Sequence, residues 1–309
     1  MHRANASALL VLGLLACAGG GPHAALGWSL GGEAHVFVAN DRFARDFYRQ
    51  LTGGGNLLDT LAGRPLAAVD ARRARGATVL SANGAAAARL TLARFHAPQT
   101  CGSPSLVTEL VLAFPAGGAG ARSTPPSHVT VVALLDAPPF AGGGGARRSL
   151  PPRSAAVDLV NRVAQRAESV SGRTRATLLR ALTLDAEQAA DAGEVVALGS
   201  RYAVGFRARF VTPAGDTLLI SGVAATDVDL HALRWVVRPQ RARLVGGMMT
   251  RTSAGRRYSL RGALMGQGGE PLLLLDEIAD VAPRDSRATA VDVASRRVIA
   301  AQPLALRCP

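Results

Sequence analysis

The stretch RYAVGFRARF, residues 201–210, alternates small or basic residues with larger apolar ones along its whole length. A period of two places successive side chains on opposite faces of a strand. One face would carry Tyr202, Val204, Phe206, Ala208 and Phe210, and the other Arg201, Ala203, Gly205, Arg207 and Arg209. The stretch therefore predicts a β-strand with one apolar face and one face that bears arginine.

The sequence after this strand continues in the same manner towards the C-terminus. The turn TPAGD connects it to TLLISGVAA, which predicts a hairpin. Further strand patterns follow at HALRWVVR, RLVGGMMTRT, RYSLRGALM, EPLLLLDEIADV and TAVDVASRRVIAA. Consecutive strands without intervening helices predict an antiparallel sheet that curls into a sandwich or a half-barrel.

The sequence before this strand mixes helical and strand patterns. Asn40-Asp41 precedes apolar residues at helical spacing, Phe43, Phe47 and Leu51, and Gly53 then provides a stop, so an amphipathic helix is predicted. Ser154 would cap a second helix over 155–169, and 174–192 has a partly helical pattern that ends at Gly193. Strands are predicted at 33–39, 78–80, 89–95, 105–114 and 129–135.

These patterns predict an α+β fold in two parts. Residues 33–136 would form a mixed part of helices and strands, and 154–309 would form helices followed by the antiparallel β-rich part. Residues 137–153, rich in glycine and proline, would form a linker or a long loop between them.

The composition narrows the class of protein without naming an activity. The chain of 309 residues carries 35 basic and 22 acidic residues, a net charge of +13, and every basic residue is arginine. Two explanations stay open: a GC-rich genome that disfavours lysine codons, or anion binding, since guanidinium groups match phosphate and carboxylate. The arginines are spread along the chain and form no dense patch or tail, so no nucleic-acid partner is expected.

The N-terminal sequence MHRANASALLVLGLLAC has the pattern of an export signal. Arg3 precedes an apolar run over 8–16, which has the length of a signal-peptide core and is too short to span a bilayer. An ordinary secretory cleavage site at Ala16-Cys17-Ala18 would leave a soluble secreted protein. The sequence Leu14-Leu15-Ala16-Cys17 also resembles the lipobox of bacterial lipoproteins.

The lipobox resemblance implies a signal peptide over 1–16 and a lipid anchor on Cys17. It also implies sorting to the outer membrane, because Ala18 and not aspartate follows the cysteine. The glycine-rich residues that come next predict a flexible tether over 17–32.

The two other cysteines are Cys101 and Cys308. If Cys17 carries the lipid, an even number remains, and an oxidising compartment favours one disulfide between them. The alternative is two unpaired buried thiols. The bridge is favoured because Cys308 lies one residue from the end, where a chain frays unless it is tied down.

Few residues point to a chemical site. If TDVDLH is extended, Asp227, Asp229 and His231 share one face and could bind a divalent metal; the alternative is a turn. A basic sheet surface that meets anions is predicted from Arg201, Arg207, Arg209, Arg251 and Arg257. The acidic residues Asp276, Glu277 and Asp280 are expected to be solvated charges.

The functional hypothesis is a lipid-anchored envelope protein on the periplasmic side of the outer membrane. It would bind or support other components without catalysis or a cofactor, and its partners would be the membrane, through the anchor, and anionic envelope components or an acidic protein. The alternative is an envelope hydrolase with scattered catalytic groups. A hydrolase should bring at least two of six side chains together in a concave pocket: His35, His96, His128, Asp227, Asp229 and His231.

Overall fold

The structure, a computed structural model, describes most of the chain between Ala24 and Cys308. The described residues are 24–72, 76–81, 84–115, 129–135, 150–171, 177–178, 192–215, 217–245, 248–249, 255–265, 271–280 and 282–308. The lipobox Leu14-Leu15-Ala16-Cys17, most of the predicted linker and Arg251 lie outside them.

The first half of the described chain contains β1 (Ala24–Leu30), β2 (Glu33–Ala39), α1 (Asp41–Thr52), α2 (Leu57–Leu61), β3 (Leu66–Asp70), β4 (Gly76–Ser81), β5 (Gly84–His96), β6 (Val107–Ala113), β7 (Thr130–Leu135) and α3 (Arg153–Ser171). The second half contains β8 (Thr177–Leu178), β9 (Ala192–Leu198), β10 (Arg201–Val211), β11 (Thr217–Thr226), β12 (Arg234–Val245), β13 (Met248–Met249), β14 (Arg256–Met265), β15 (Pro271–Ala279), β16 (Arg287–Asp292) and β17 (Arg297–Pro303). None of the described helices is long and apolar enough to cross a membrane.

The prediction of a β-rich antiparallel fold is confirmed, because all strand pairings among the described residues are antiparallel. The first seven strands form one sheet that closes on itself through the pairs β1–β2, β2–β6, β6–β5, β5–β4, β4–β7 and β7–β1. We call this six-stranded closure the barrel; β3 pairs with the end of β5 outside it.

The barrel interior is filled by apolar side chains that alternate along its strands. Val36 and Val38 point inwards from β2, and Leu110 and Leu112 from β6. Helix α1 contributes to the same core, where the Tyr48 ring meets the Phe95 ring edge to face at a centroid distance of 5.1 Å.

Helix α1 begins and ends as its sequence predicts. The Asn40 Oδ1 atom accepts a hydrogen bond of 2.8 Å from the Phe43 amide and so caps the first turn. Gly53 ends the helix with a φ of 74°, a left-handed conformation that favours glycine. The predicted helix near 155–169 is also present, as α3, but it begins at Arg153, so the predicted cap Ser154 lies inside the helix.

The predicted tether over 17–32 is wrong for its last residues, because 24–30 form β1, a wall of the barrel between β2 and β7. Gly27 has a packing role there: a Cβ atom at this position would lie 1.8 Å from the His35 carbonyl oxygen. Gly31 and Gly32 form the turn to β2, both with positive φ. The glycines that suggested flexibility are therefore partly requirements of a sheet.

The later strands form two further sheets. The outer sheet contains β8 to β13, and the middle sheet contains β14 to β17. The predicted stop at Gly193 is wrong, because this glycine lies in β9 with α3 close above it.

The middle sheet is buried on both faces. Leu273 and Leu275 of β15 pack with outer-sheet residues such as Val223, whereas Leu272 and Leu274 pack with barrel residues such as Leu26. Helix α3 covers the far face of the outer sheet, over Val204, Phe206 and Ala208. The layers therefore run from the barrel through the middle and outer sheets to α3.

Candidate functional site

Four ionisable side chains meet on the outer surface of the barrel. Glu109, in the middle of β6, accepts through Oε1 from His35 Nδ1 at 2.7 Å and from Arg94 Nη1 at 3.1 Å. Its other oxygen, Oε2, lies 3.0 Å from His96 Nε2. We call His35, Arg94, His96 and Glu109 the carboxylate cluster.

The strand register explains why these residues meet. Glu109 lies directly opposite Phe37 on β2 and opposite Arg94 on β5. His35 and His96 are each two residues from those partners, so they project from the same outward face as Glu109.

A short C-terminal tail, residues 304–308, packs over this part of the barrel wall. Leu306 of the tail is buried with Phe37, Val107 and Cys101, and the half-buried Trp28 and Cys308 pack against them. The Arg307 amide donates a hydrogen bond of 2.9 Å to the Cys101 carbonyl oxygen. The tail is thus joined to the barrel by apolar packing and by main-chain bonding.

The carboxylate cluster is buried at Glu109 and His96 and partly exposed at His35 and Arg94. The side chains of Glu109 and His96 are 4% and 1% exposed, whereas those of His35 and Arg94 are 13% and 35% exposed. Burial raises the pKa of Glu109, but the hydrogen bonds with His35 and His96 and the charge of Arg94 outweigh burial, and the pKa falls from 4.5 to about 2. Glu109 therefore stays ionised at any ordinary pH.

The predicted pairing of Cys101 with Cys308 is present in the structure as a disulfide, with Cα atoms 4.4 Å apart. It links the loop after β5 to the C-terminal tail. A ring nitrogen of His96 lies beside the two sulfurs, all three atoms being within 4.8 Å of one another. Among the described residues, this is the group of histidine, cysteine and acidic side chains whose geometry could hold a metal.

The predicted metal site at Asp227, Asp229 and His231 is wrong in its geometry. The segment is a turn and not an extended strand. Asp227 Oδ1 accepts a hydrogen bond of 2.9 Å from the His231 amide, and Leu230 has a φ of 63°. Asp227 therefore stabilises the turn, and the three side chains do not project from one face.

The predicted basic surface is also corrected. Arg201 is exposed and Arg209 and Arg257 are half-buried, but Arg207 is 8% exposed beneath the middle sheet. Its Nη1 atom lies 3.1 Å from Asp280 Oδ1, so this face of β10 is an interior interface.

The acidic residues of β15 and its end are not solvated charges, contrary to the prediction. Asp276 pairs with Arg261 at 2.7 Å, and Glu277 pairs with Arg256 at 3.2 Å. Asp276, Glu277 and Asp280 are 16%, 11% and 12% exposed. The arginine and acidic side chains thus neutralise one another, within the middle sheet for Asp276 and Glu277 and across to the outer sheet for Asp280.

A groove at the start of α3 is lined mainly by apolar side chains, among them Leu150, Ala156 and Leu260, with Arg153 and Glu194 as its charged members. Glu194 is already engaged, because it accepts from Ser259 Oγ at 3.0 Å and from the Leu260 amide. None of the candidate histidines lines this groove.

Two of the six candidate catalytic side chains, His35 and His96, do converge. They meet at Glu109, in a buried cluster and not in that groove, while His128 lies outside the described residues. Glu109 itself was not predicted. Its signal is a lone carboxylate in the apolar run SLVTELVLAF, since an unpaired charge is costly in a strand buried on both faces.

Comparison with known proteins adds no assignment: no protein-family model, no curated protein and no solved structure matches this chain.

Proposed function

We propose that the chain is an exported envelope protein, anchored by lipid on Cys17 to the outer membrane on its periplasmic side, with a binding or structural role and no catalysis. The observation that carries the proposal is the Cys101–Cys308 disulfide. Disulfides persist in oxidising compartments such as the periplasm, and they are rare in the cytosol. The export signal and lipobox pattern of residues 1–17 agree with that compartment.

The burial of the carboxylate cluster supports a role without catalysis. Glu109 pairs with one nitrogen of each imidazole and with Arg94, and the C-terminal tail packs beside it. A buried group of this kind, joined by hydrogen bonds to one carboxylate, fixes a local structure. Anionic envelope components remain the proposed partners because of the net charge of +13, and no longer because of a surface built on Arg207.

We also infer that the fold belongs to the α+β class. Helices α1 and α2 follow β2 within the barrel half, and α3 separates that half from the later strands. The antiparallel sheets agree with this class, in which helices are segregated to one face or end of an antiparallel sheet.

The anchor is tested by metabolic labelling with a palmitate analogue. Wild type should take up the label and fractionate with outer membranes, and Cys17→Ser should lose both properties. The double variant C101S/C308S is the matched control, since it removes the other two thiols and should keep the label. Label that persists in Cys17→Ser would overturn the anchor.

A hydrolase remains the second candidate because His35 is held by Glu109 at 2.7 Å and is partly exposed. A carboxylate that orients an imidazole can prepare it as a general base. Hydrolysis of a panel of esters, amides and glycosides by the purified protein tests this. Turnover that disappears in His35→Gln but persists in His231→Gln would favour the hydrolase over the binding role.

A further inference from the structure

Three atoms that are good ligands for transition metals lie together under the C-terminal tail. They are a ring nitrogen of His96, at the end of β5, and the sulfurs of Cys101 and Cys308, and each lies within 4.8 Å of the other two. Cys101 and His96 are buried at 0% and 1% exposure, and Cys308 is half-buried. The group combines an interior position with one partly accessible side.

The hydrogen bonds of His96 leave one of its two ring nitrogens without a partner. Its Nε2 atom pairs with Glu109 Oε2, and an ionised carboxylate only accepts hydrogen bonds, so Nε2 carries the proton. In the neutral imidazole, which is the form that ligates metals, Nδ1 then holds the lone pair. This atom is buried and has no hydrogen-bond partner among the described residues. A buried polar atom left in this way points to a missing partner.

We propose that Cys101, Cys308 and His96 form a redox-gated metal site, closed as a disulfide when oxidised and able to bind a zinc-type divalent ion when the two sulfurs are reduced. Two thiolates and an imidazole suit zinc and similar ions, and this set of three leaves a fourth position for water or another donor. Glu109 is the outer partner of the histidine, as in carboxylate–histidine–metal arrangements.

The distances fit such an ion without a large rearrangement. Bonds of about 2.3 Å to sulfur and about 2.0 Å to nitrogen, at tetrahedral angles, separate the ligand atoms by roughly 3.5–3.8 Å. The three atoms already lie inside a 4.8 Å limit. The sulfurs must move apart after reduction, and rotation about the side-chain torsions of the two cysteines can supply that movement.

The redox step balances with a dithiol as reductant. Thiolate attack on the Cys101–Cys308 bond gives a mixed disulfide, and the second thiol of the reductant then resolves it. Two electrons pass to the protein sulfurs, the dithiol becomes a disulfide, and its two protons end on Cys101 and Cys308. Metal binding then releases those two protons, since the ligands are thiolates.

The test uses cobalt as the probe, because it replaces zinc and reports thiolate ligation and tetrahedral geometry by absorption. Full-length protein is reduced with a phosphine, desalted without oxygen, and titrated with Co²⁺ and then Zn²⁺. Reduced wild type should bind one Co²⁺ with a thiolate charge-transfer band, and Zn²⁺ should displace it. Oxidised protein should show no such band.

Variants separate the site from adventitious binding. His96→Gln should lose the tetrahedral signal, and Glu109→Gln should weaken Co²⁺ binding by about 10–100-fold. His231→Gln, in the exposed turn, is the matched control and should bind as wild type does. Circular dichroism of each reduced variant checks the fold, and Cys308→Ser, a tail position, provides a second ligand deletion if His96→Gln does not fold.

Three results would overturn the proposal. One is reduced, folded wild type that shows no thiolate–cobalt band at one equivalent. Another is a folded His96→Gln or Cys308→Ser variant that keeps wild-type affinity and spectrum. The third is a disulfide that is reduced only when the whole protein unfolds, since the bridge would then be structural alone.

Discussion

Ionisation of Glu109 should make the stability of the protein depend on acid pH in a calculable way. The folded state lowers the pKa of this carboxyl from 4.5 to about 2. At 1.36 kcal/mol per pKa unit, the difference corresponds to about 3 kcal/mol of unfolding free energy. Because the folded pKa is the lower one, this contribution is fully present above pH 4.5 and disappears as the pH falls towards 2. About 2 kcal/mol of it should be gone at pH 3.

The measurement is a comparison of wild type with Glu109→Gln by urea unfolding at pH 6, 4 and 3. The stacked pair of Trp28 and Phe37, with centroids 4.5 Å apart beside the cluster, provides a fluorescence signal. Wild type should be the more stable protein at pH 6, and its advantage should shrink by about 2 kcal/mol at pH 3. Taking the difference between the two proteins removes the titration of groups that do not contact Glu109.

The matched control is Asp46→Asn, which removes an exposed carboxylate that pairs with Arg49 on the surface of α1. Surface pairs of this kind contribute about 0–1 kcal/mol, so its difference from wild type should hardly change with pH. If the difference for Glu109→Gln is also constant between pH 6 and 3, the cluster does not hold the carboxylate ionised and the reasoning is refuted.

Three further changes test the fold. Gly193→Ala should destabilise the protein by about 1–3 kcal/mol, because its Cβ would lie 2.3 Å from Val160 Cγ1. Val160→Ala in the same chain should restore part of the lost stability. The absence of any recovery in thermal unfolding would contradict this contact. Asn40→Ala should cost about 1 kcal/mol in urea unfolding through loss of the α1 cap, and an unchanged midpoint would contradict the cap. Cys308→Ser opens a closure of 207 residues and should cost up to about 5 kcal/mol in the chain-entropy model; equal stability of oxidised wild type and variant would contradict a structural contribution from the bridge to Cys101.

Features that depend on neighbouring residues could be predicted from the sequence. Helix α1 follows from Asn40, the spacing of Phe43, Phe47 and Leu51, and Gly53, all within 14 residues. The disulfide followed from a count of cysteines and an assumed compartment. Both inferences rest on information that does not require the position of a distant strand.

Features that depend on distant strands could not be predicted. The alternation in β10 places Arg207 opposite its apolar face, but it does not say whether water or another sheet covers that side. The partner, Asp280, comes 73 residues later. From the sequence alone, both the arginine-bearing face of β10 and the acidic residues of β15 and its end are predicted to face solvent. They form an internal ion pair because the middle sheet brings them together.

The candidate site shows the same division. His35 and His96 could be named as candidates, since the chain has only 6 histidines. Their meeting point, Glu109, depends on the register of β6 with both β2 and β5, which no local pattern gives. Asp227 shows the opposite error, because a period of two resembled a strand where the carboxylate caps a turn.

The position of the middle sheet sets the order in which this protein can mature. Its strands begin at Arg256, so they are synthesised after the barrel and the outer sheet, yet they supply the surface on which both are packed. A nascent chain that has reached residue 250 contains the strands of the barrel and of the outer sheet but lacks the middle sheet that packs between them. Its apolar faces are therefore open to chaperones and proteases. A stop codon late in the reading frame would therefore remove the centre of the molecule and not its edge.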